Sequence, residues 1–282
     1  MATSSELPER VRSLRAGSLQ PEIARLAATV ALVRDGREGL EVYLLRRVRG
    51  MSFAAGMHVF PGGSVDPADG SVYPADGSAD GSVGSAEGRV EIGWVGPGPQ
   101  WWADRFSTDP ASARALVVAA ARETFEESGV LFAGRAKDQL VDDVSGPEWE
   151  AEREALEARQ QTFAEFLHRR ELVLRADLLA PVAHWITPEA EPKRFDTHFF
   201  VAALPAGQHP RMAGTEADVR LWIRPEQALS TGLRLMNPTK AVLKDLAGYR
   251  DVAAALGAER VIETVFPRLE LDGDGDGVRI VV

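Results

Sequence analysis

The chain has 282 residues, of which 45% are hydrophobic, a formal net charge of −10 and no cysteine. Its size and composition suit one large core or two modest ones, and the missing cysteines exclude disulfides, thiolate nucleophiles and Cys-ligated zinc. The acidic balance argues against a general nucleic-acid or membrane-surface binder; it leaves a phosphorylated small molecule open, because bound metal ions reverse the sign of a local field.

The opening residues, MATSSELPERVRSLRAG, contain no apolar signal core, and no apolar run approaches the roughly 20 residues that span a bilayer, so a cytoplasmic protein is expected. Residues 26–34 (LAATVALVR) and 40–47 (LEVYLLRR) read as strands of a hairpin around Asp35-Gly36. After MSFAAGMHVFPGG, residues 64–110 turn rich in Asp, Gly, Ser and Pro and read as an inserted surface excursion, whose Trp94, Trp101 and Trp102 are expected to pack. Asp109 as N-cap and Pro110 at the first helical position then start a helix that runs to Ser128. Ala113, Val117, Ala121, Thr124 and Phe125 mark its core face, which leaves Glu123, Glu126 and Glu127 on the accessible side.

A short strand at 130–133 follows, then a long helix over 147–170 with Ser145 and Glu148 as capping residues. Strands are predicted at 178–186, 197–204 and 217–223, and short helices at 225–230 and 238–248. Without repeated βαβ units this is an α/β protein with a mixed sheet flanked by helices. The division expected is an extension at 1–24, a single domain at 25–250 interrupted at 64–110, and a C-terminal extension at 251–282 packed on the domain.

The nonapeptide RETFEESGV (Arg122–Val130) carries the most chemistry. At about 100° per residue, Glu126 and Glu127 lie within roughly 60° of Glu123 on the helix surface, so three carboxylates share one face. Like charges at these spacings cost about 0.2–0.5 kcal/mol per pair, and the end of a helix disfavours anions. Local physics therefore leaves two readings: a solvated acidic face, or a site for a hard divalent cation shared with a substrate phosphate. The acids of Glu148–Arg159 provide a contrast, since Arg153 and Arg159 are interleaved with them and no metal is required.

RETFEESGV matches the second half of the Nudix box, G-x5-E-x7-R-E-U-x-E-E-x-G-U with U aliphatic, apart from Thr124 at the first aliphatic position. The opening glycine is best placed at Gly63 in HVFPGG, so the box is split by the excursion, and Arg114 stands eight positions before Arg122 where a glutamate is expected. The phrases MSFAAGMHVFPGGSVDPADG and HWITPEAEPKRFDTHFFVAALP resemble the coenzyme A diphosphatase branch of the Nudix superfamily. The CoA-specific pattern LLTxR[SA]x3Rx3Gx3FPGG is met at Leu44, Arg47, Gly56, Phe60, Pro61, Gly62 and Gly63, and departs at Tyr43, Leu45, Val48 and Ser52.

That resemblance implies a Nudix-like α/β/α sandwich with a mixed β-sheet and hydrolysis of a nucleoside diphosphate linked to another moiety, with CoA or acyl-CoA first and NADH, ADP-ribose or nucleotide sugars as alternatives. It implies Mg²⁺ or Mn²⁺ as cofactor, held by Glu126, Glu127, Glu123 and the Gly63 carbonyl, with Arg122 orienting the glutamates. Glu123 is either ligand or water-activating base, and Glu216, in GTEADVRLWI, is the candidate base outside the box. Arg47, Lys193 and Arg194 are the candidate substrate-phosphate contacts, and a homodimer is the family-level expectation. A noncatalytic nucleotide-sensing module is the competing class, although neither a basic recognition helix nor an appended domain is evident.

Other signals are discounted. Asp272, Asp274, Asp276 and Gly277 mimic the start of an EF-hand loop but read better as a hairpin turn. The histidines His58, His168, His184, His198 and His209 lack close ligand spacing, and no Walker A, Rossmann or nucleophile-elbow motif is present.

Overall fold

Adjacent residues of LAATVALV are buried together, so this strand must be covered on both faces. The computed structural model describes residues 6–48, 50, 54–70, 92–137, 139–211, 213–214, 217–273 and 277–282. A helix, α1 (Leu7–Arg15), precedes the hairpin of β1 (Arg25–Gly36) and β2 (Gly39–Arg47), with Val33 opposite Val42. Ala28, Val30 and Leu32 face one apolar core, while Ala31 and Val33 face another. A one-residue slip would exchange the two faces, which fixes the register.

Two short strands, β3 (His58–Val59) and β4 (Gly62–Ser64), lie against β2 and β1, and Gly63 sits opposite Ala28. A 3-10 turn spans Pro67–Gly70; β5 (Trp94–Val95), α2 (Pro99–Phe106) and α3 (Pro110–Ser128) follow. The surface-excursion reading of 64–110 is therefore corrected at both ends: Asp69, Ile92, Trp102, Ala103 and Phe106 are all buried. The low-complexity centre of that stretch lies outside the described residues. Trp102 stacks near Phe106 and tilts against Phe200, so aromatic packing anchors α2 over the sheet.

Helix α3 begins and ends as its caps dictate. Asp109 accepts hydrogen bonds from Ala111 N (3.0 Å) and Ser112 N (2.9 Å), and Gly129 adopts φ 69° with its N–H on Phe125 O at 2.8 Å. Its middle is more deeply embedded than an amphipathic surface helix, since every residue from Ala113 to Ala121 is buried. Thr124 fits the aliphatic position because its hydroxyl donates to Ala120 O at 2.7 Å, leaving the methyl group to the core.

The strand expected at 130–133 starts at its last residue, β6 (Ala133–Ala136), followed by β7 (Gln139–Leu140). The long helix over 147–170 is two helices, α4 (Pro147–Glu157) and α5 (Phe163–Arg169). Arg159 at φ 54° breaks the run, and Thr162 with Glu165 restarts it through a capping box; Gly146, not Ser145 or Glu148, is the N-cap of α4.

Then come β8 (Val173–Arg175), β9 (Leu179–Ile186), β10 (Phe195–Ala203), β11 (Ala217–Ile223), α6 (Pro225–Ser230), α7 (Asn237–Leu246), α8 (Val252–Leu256), β12 (Thr264–Val265) and the hairpin β13 (Arg268–Leu271) and β14 (Val278–Val281). The main sheet has the order β11-β2-β1-β10-β9-β12, with β1–β10 and β12–β9 parallel and its other neighbours antiparallel; β5, β8, β6 and β7 form a smaller sheet. Helix α3 covers one face of the main sheet, and Val242, Leu243 and Leu246 of α7 cover the other. The result is a helix–sheet–helix sandwich, as expected. No described helix is long and apolar enough to cross a membrane.

Candidate active site

The two halves of the split motif meet where β4 passes the last turns of α3. A Cβ on Gly63 would lie 2.5 Å from the Glu123 carboxyl carbon, and one on Gly62 would collide with the Ala28 carbonyl. Gly62 needs glycine because neighbouring backbone fills the side-chain space, and at Gly63 a side chain would push the Glu123 carboxylate aside. Gly62 N donates to Glu127 Oε2 at 2.9 Å, which ties the third glutamate to the same loop.

Arg122 is the hub. Its Nη1 donates to Glu123 Oε1 (2.8 Å) and Glu126 Oε1 (3.2 Å), and its Nη2 to Ser64 O (3.0 Å). The other edge of the guanidinium binds Asp69 bidentately, Nε to Oδ1 at 2.9 Å and Nη2 to Oδ2 at 2.8 Å. Asp69 is 2% exposed, so this fork is a buried charge-assisted pair. Asp69 was missed in the sequence. The motif counted backward from Arg122 gives Arg114, whereas counted forward from Gly63 it gives an acid at 69. Arg114 instead points its guanidinium toward Ile92 O and the Trp94 ring.

Electrostatics make this cluster unusual. Three carboxylates, Asp69, Glu123 and Glu126, converge on one guanidinium, and Glu127 is held beside them by Gly62 N. Burial raises the Glu123 carboxyl to about 7, with Arg122 offsetting only part of that effect and Glu126 adding to it. Glu126 and Asp69 are also raised, chiefly by burial and against the pull of Arg122. Such a set of desolvated, under-neutralised oxygens, packed against the glycine backbone at 63, fits hard divalent cations.

The end of α3 is held from outside as well. Arg153 donates to Glu126 O at 3.0 Å and Arg211 to Gly129 O at 3.2 Å, two cations on the carbonyl end of the helix. Arg153 also pairs with Glu150 and Glu157, so those acids have the cationic partners expected of them, while Glu152 takes its partners from Arg169 and Arg170 of α5 and its end.

The remaining candidates are dispersed. Arg47 lines a small cavity together with Leu45, Val59, Glu127, Ala213 and Ala217. Arg194 is buried and donates to Thr187 O (3.1 Å) and Glu22 O (2.6 Å), a structural use of its guanidinium. Lys193 is exposed, with its ammonium 5.7 Å from the Phe195 ring centre. No described hydrogen bond or ion pair joins either residue to the α3 carboxylates. Glu216 lies outside the described residues.

Comparison with known proteins adds three findings. A family model described as the NUDT19 Nudix domain matches residues 23–234. Acyl-coenzyme A diphosphatase NUDT19 of Gallus gallus is 28% identical over 218 residues, covering 67% of this chain and 55% of that protein, and its Xenopus laevis counterpart is 27% identical over 207 residues, covering 67% and 54%. The chain thus spans about half the length of the curated relatives it matches. A crystal structure of a NUDIX hydrolase from Alicyclobacillus acidocaldarius superposes with a TM-score of 0.64 at 27% identity, over 85% of this chain and 98% of that one.

Proposed function

This chain belongs to the NUDT19 Nudix domain family, and on that premise we propose that it is a metal-dependent diphosphatase that cleaves the pyrophosphate of a nucleoside diphosphate linked to another moiety, with CoA or acyl-CoA as the leading substrate. The observation that carries the reading is the junction of Gly63, Asp69 and Glu123 around Arg122, which reunites a motif separated in sequence. Likeness to the acyl-CoA diphosphatases named above, and the match of Arg47 and the FPGG residues, favour the CoA class.

Glu123, Glu126, Glu127 and the Gly63 carbonyl would hold Mg²⁺ or Mn²⁺. When bound, such ions neutralise pyrophosphate charge and lower the pKa of an attacking water. Arg122 keeps Glu123 and Glu126 aimed at one point, and Asp69 keeps Arg122 there. A carboxylate poised near 7 suits proton abstraction at neutral pH, which makes Glu123 a candidate base alongside Glu216. Arg47, beside Glu127 in one cavity, is the proposed phosphate contact, and exposed Lys193 the candidate for the distal part of the substrate. The division into one Nudix domain at 25–250 with terminal extensions belongs to the same proposal.

A panel of CoA, acyl-CoAs, NADH and ADP-ribose with Mg²⁺ or Mn²⁺ tests it. Release of 3′,5′-ADP and a phosphopantetheine product is expected, with CoA or acyl-CoA turned over fastest. Intact substrates throughout would overturn the diphosphatase reading, and faster turnover of NADH or ADP-ribose would overturn the CoA assignment.

A further inference from the structure

The histidines do not remain apart once the sheet forms. In the antiparallel register of β9 and β10, His198 stands directly opposite His184, and the two-residue period puts Asp196 on the same face as His198. The parallel register of β12 brings Thr264 beside His184. Three adjacent strands thus present two imidazoles, a carboxylate and a hydroxyl to one place. Phe106 of α2 closes it with an edge-to-face contact on His198 at 4.6 Å between ring centres.

We propose that His184, Asp196 and His198 form a site for a nitrogen-preferring divalent transition-metal ion of the zinc class, separate from the carboxylates of α3. The candidate ligand atoms all lie within 4.8 Å of one another. Tetrahedral Zn²⁺ with bonds of about 2.0–2.1 Å needs donors roughly 3.3 Å apart with each imidazole lone pair aimed at the ion, so the two rings, stacked at 3.9 Å between centres and 17° between planes, would turn apart on binding. Two imidazoles and one carboxylate suit zinc and its neighbours, whereas Mg²⁺ takes oxygen ligands.

Two details of the histidines connect the cluster to a metal. His198 is 1% exposed, yet its Nδ1 has no hydrogen-bond partner and its Nε2 lies 3.4 Å from Asp196 Oδ1, too long for a good N–H···O bond. The nitrogen that faces the cluster is Nε2, held there only by this long contact, and the orphaned Nδ1 is the other nitrogen of the ring. His184 has the complementary arrangement: Nε2 faces Asp196 Oδ1 at 2.5 Å and Nδ1 faces Thr264 Oγ1 at 2.8 Å. At 2.5 Å from a carboxylate oxygen Nε2 carries a proton, which a metal would displace, leaving Nδ1–H to donate to Thr264 Oγ1 as the usual support of a metal-bound histidine. Asp196 is 30% exposed, which provides an entry path and space for a water ligand. A bound ion would clamp β10 to β9 and, through Thr264, hold β12 and the C-terminal segment to the sheet.

The test uses the full chain carrying Glu126→Gln and Glu127→Gln, so that binding at the α3 carboxylates is suppressed. Calorimetric titration with Zn²⁺ should give one site with a dissociation constant below about 10 μM, and Co²⁺ should give the intense visible absorption of a tetrahedral nitrogen-containing site. Zn²⁺ but not Mg²⁺ should raise the Tm by a few degrees. Adding Asp196→Asn or His184→Gln should weaken Zn²⁺ binding by about 10- to 100-fold or more. Failure of the parent variant to bind Zn²⁺ below about 100 μM, or affinity unchanged by these substitutions, would overturn the site. Should the added substitutions prevent folding, perturbation by Zn²⁺ of two histidine ring resonances in the parent variant decides, and unperturbed rings overturn the proposal.

Discussion

Glu123→Gln should raise the stability of the metal-free protein while abolishing its activity. Burial raises Glu123 from 4.5 to about 7, and the side chain is only 14% exposed, so solvent screening removes little of the effect. An acid whose folded pKa lies above its unfolded value favours folding fully only when protonated in both states, and the contribution is lost as pH rises through the folded value. Ionised Glu123 therefore costs stability progressively between about pH 4.5 and 7. At about 1.4 kcal/mol per pH unit the full penalty is on the order of 3 kcal/mol. Glutamine keeps the volume and an acceptor for Arg122 Nη1, now 2.8 Å from Oε1, but carries no charge. Urea unfolding in EDTA at pH 8 should show the variant more stable by about 2–3 kcal/mol, and near pH 5 the difference should fall below about 1 kcal/mol. Mg²⁺ should narrow the pH 8 gap by stabilising the parent, and turnover of the variant should drop by about 10²-fold or more. A variant no more stable than its parent at pH 8 would refute the claim of an uncompensated buried carboxylate.

Asp69→Asn removes the anion that anchors Arg122, and turnover with Mg²⁺ should fall by about 10- to 100-fold in steady-state assays, because a supporting contact rather than a ligand is lost. Gly63→Ala places a Cβ 2.5 Å from the Glu123 carboxyl carbon, and the displaced carboxylate should lower turnover by about 10²-fold, with weaker Mn²⁺ binding seen by electron paramagnetic resonance. Trp102→Ala empties a fully buried site between Phe106 and Phe200 and should cost about 3–5 kcal/mol in chemical denaturation; a loss under about 0.5 kcal/mol would return α2 to the surface.

Much of the site was legible because RETFEESGV is local: its spacing, its N-cap at Asp109 and its stop at Gly129 depend on residues within one helix. The strands β1 and β2 were legible for the same reason, as apolar runs on either side of the turn at Asp35-Gly36. Asp69 was lost because the excursion was counted as one block starting right after Gly63, although the chain continues the motif to Gly70 before leaving it. The break at Arg159 was lost because interleaved charges keep a helical pattern running across a residue at φ 54°.

The sequence by itself determined which residue types could bind metal on α3, where that helix starts and stops, and that a mixed sheet would be covered on both faces. These are matters of periodicity and capping, decided within a few residues. Only the tertiary structure decided that Asp69 reaches Arg122, that Arg194 is used up on two backbone carbonyls, and that His184 meets His198 and Asp196. Strand register and loop closure set those encounters, and both are settled by burying two cores at once rather than by any spacing along the chain.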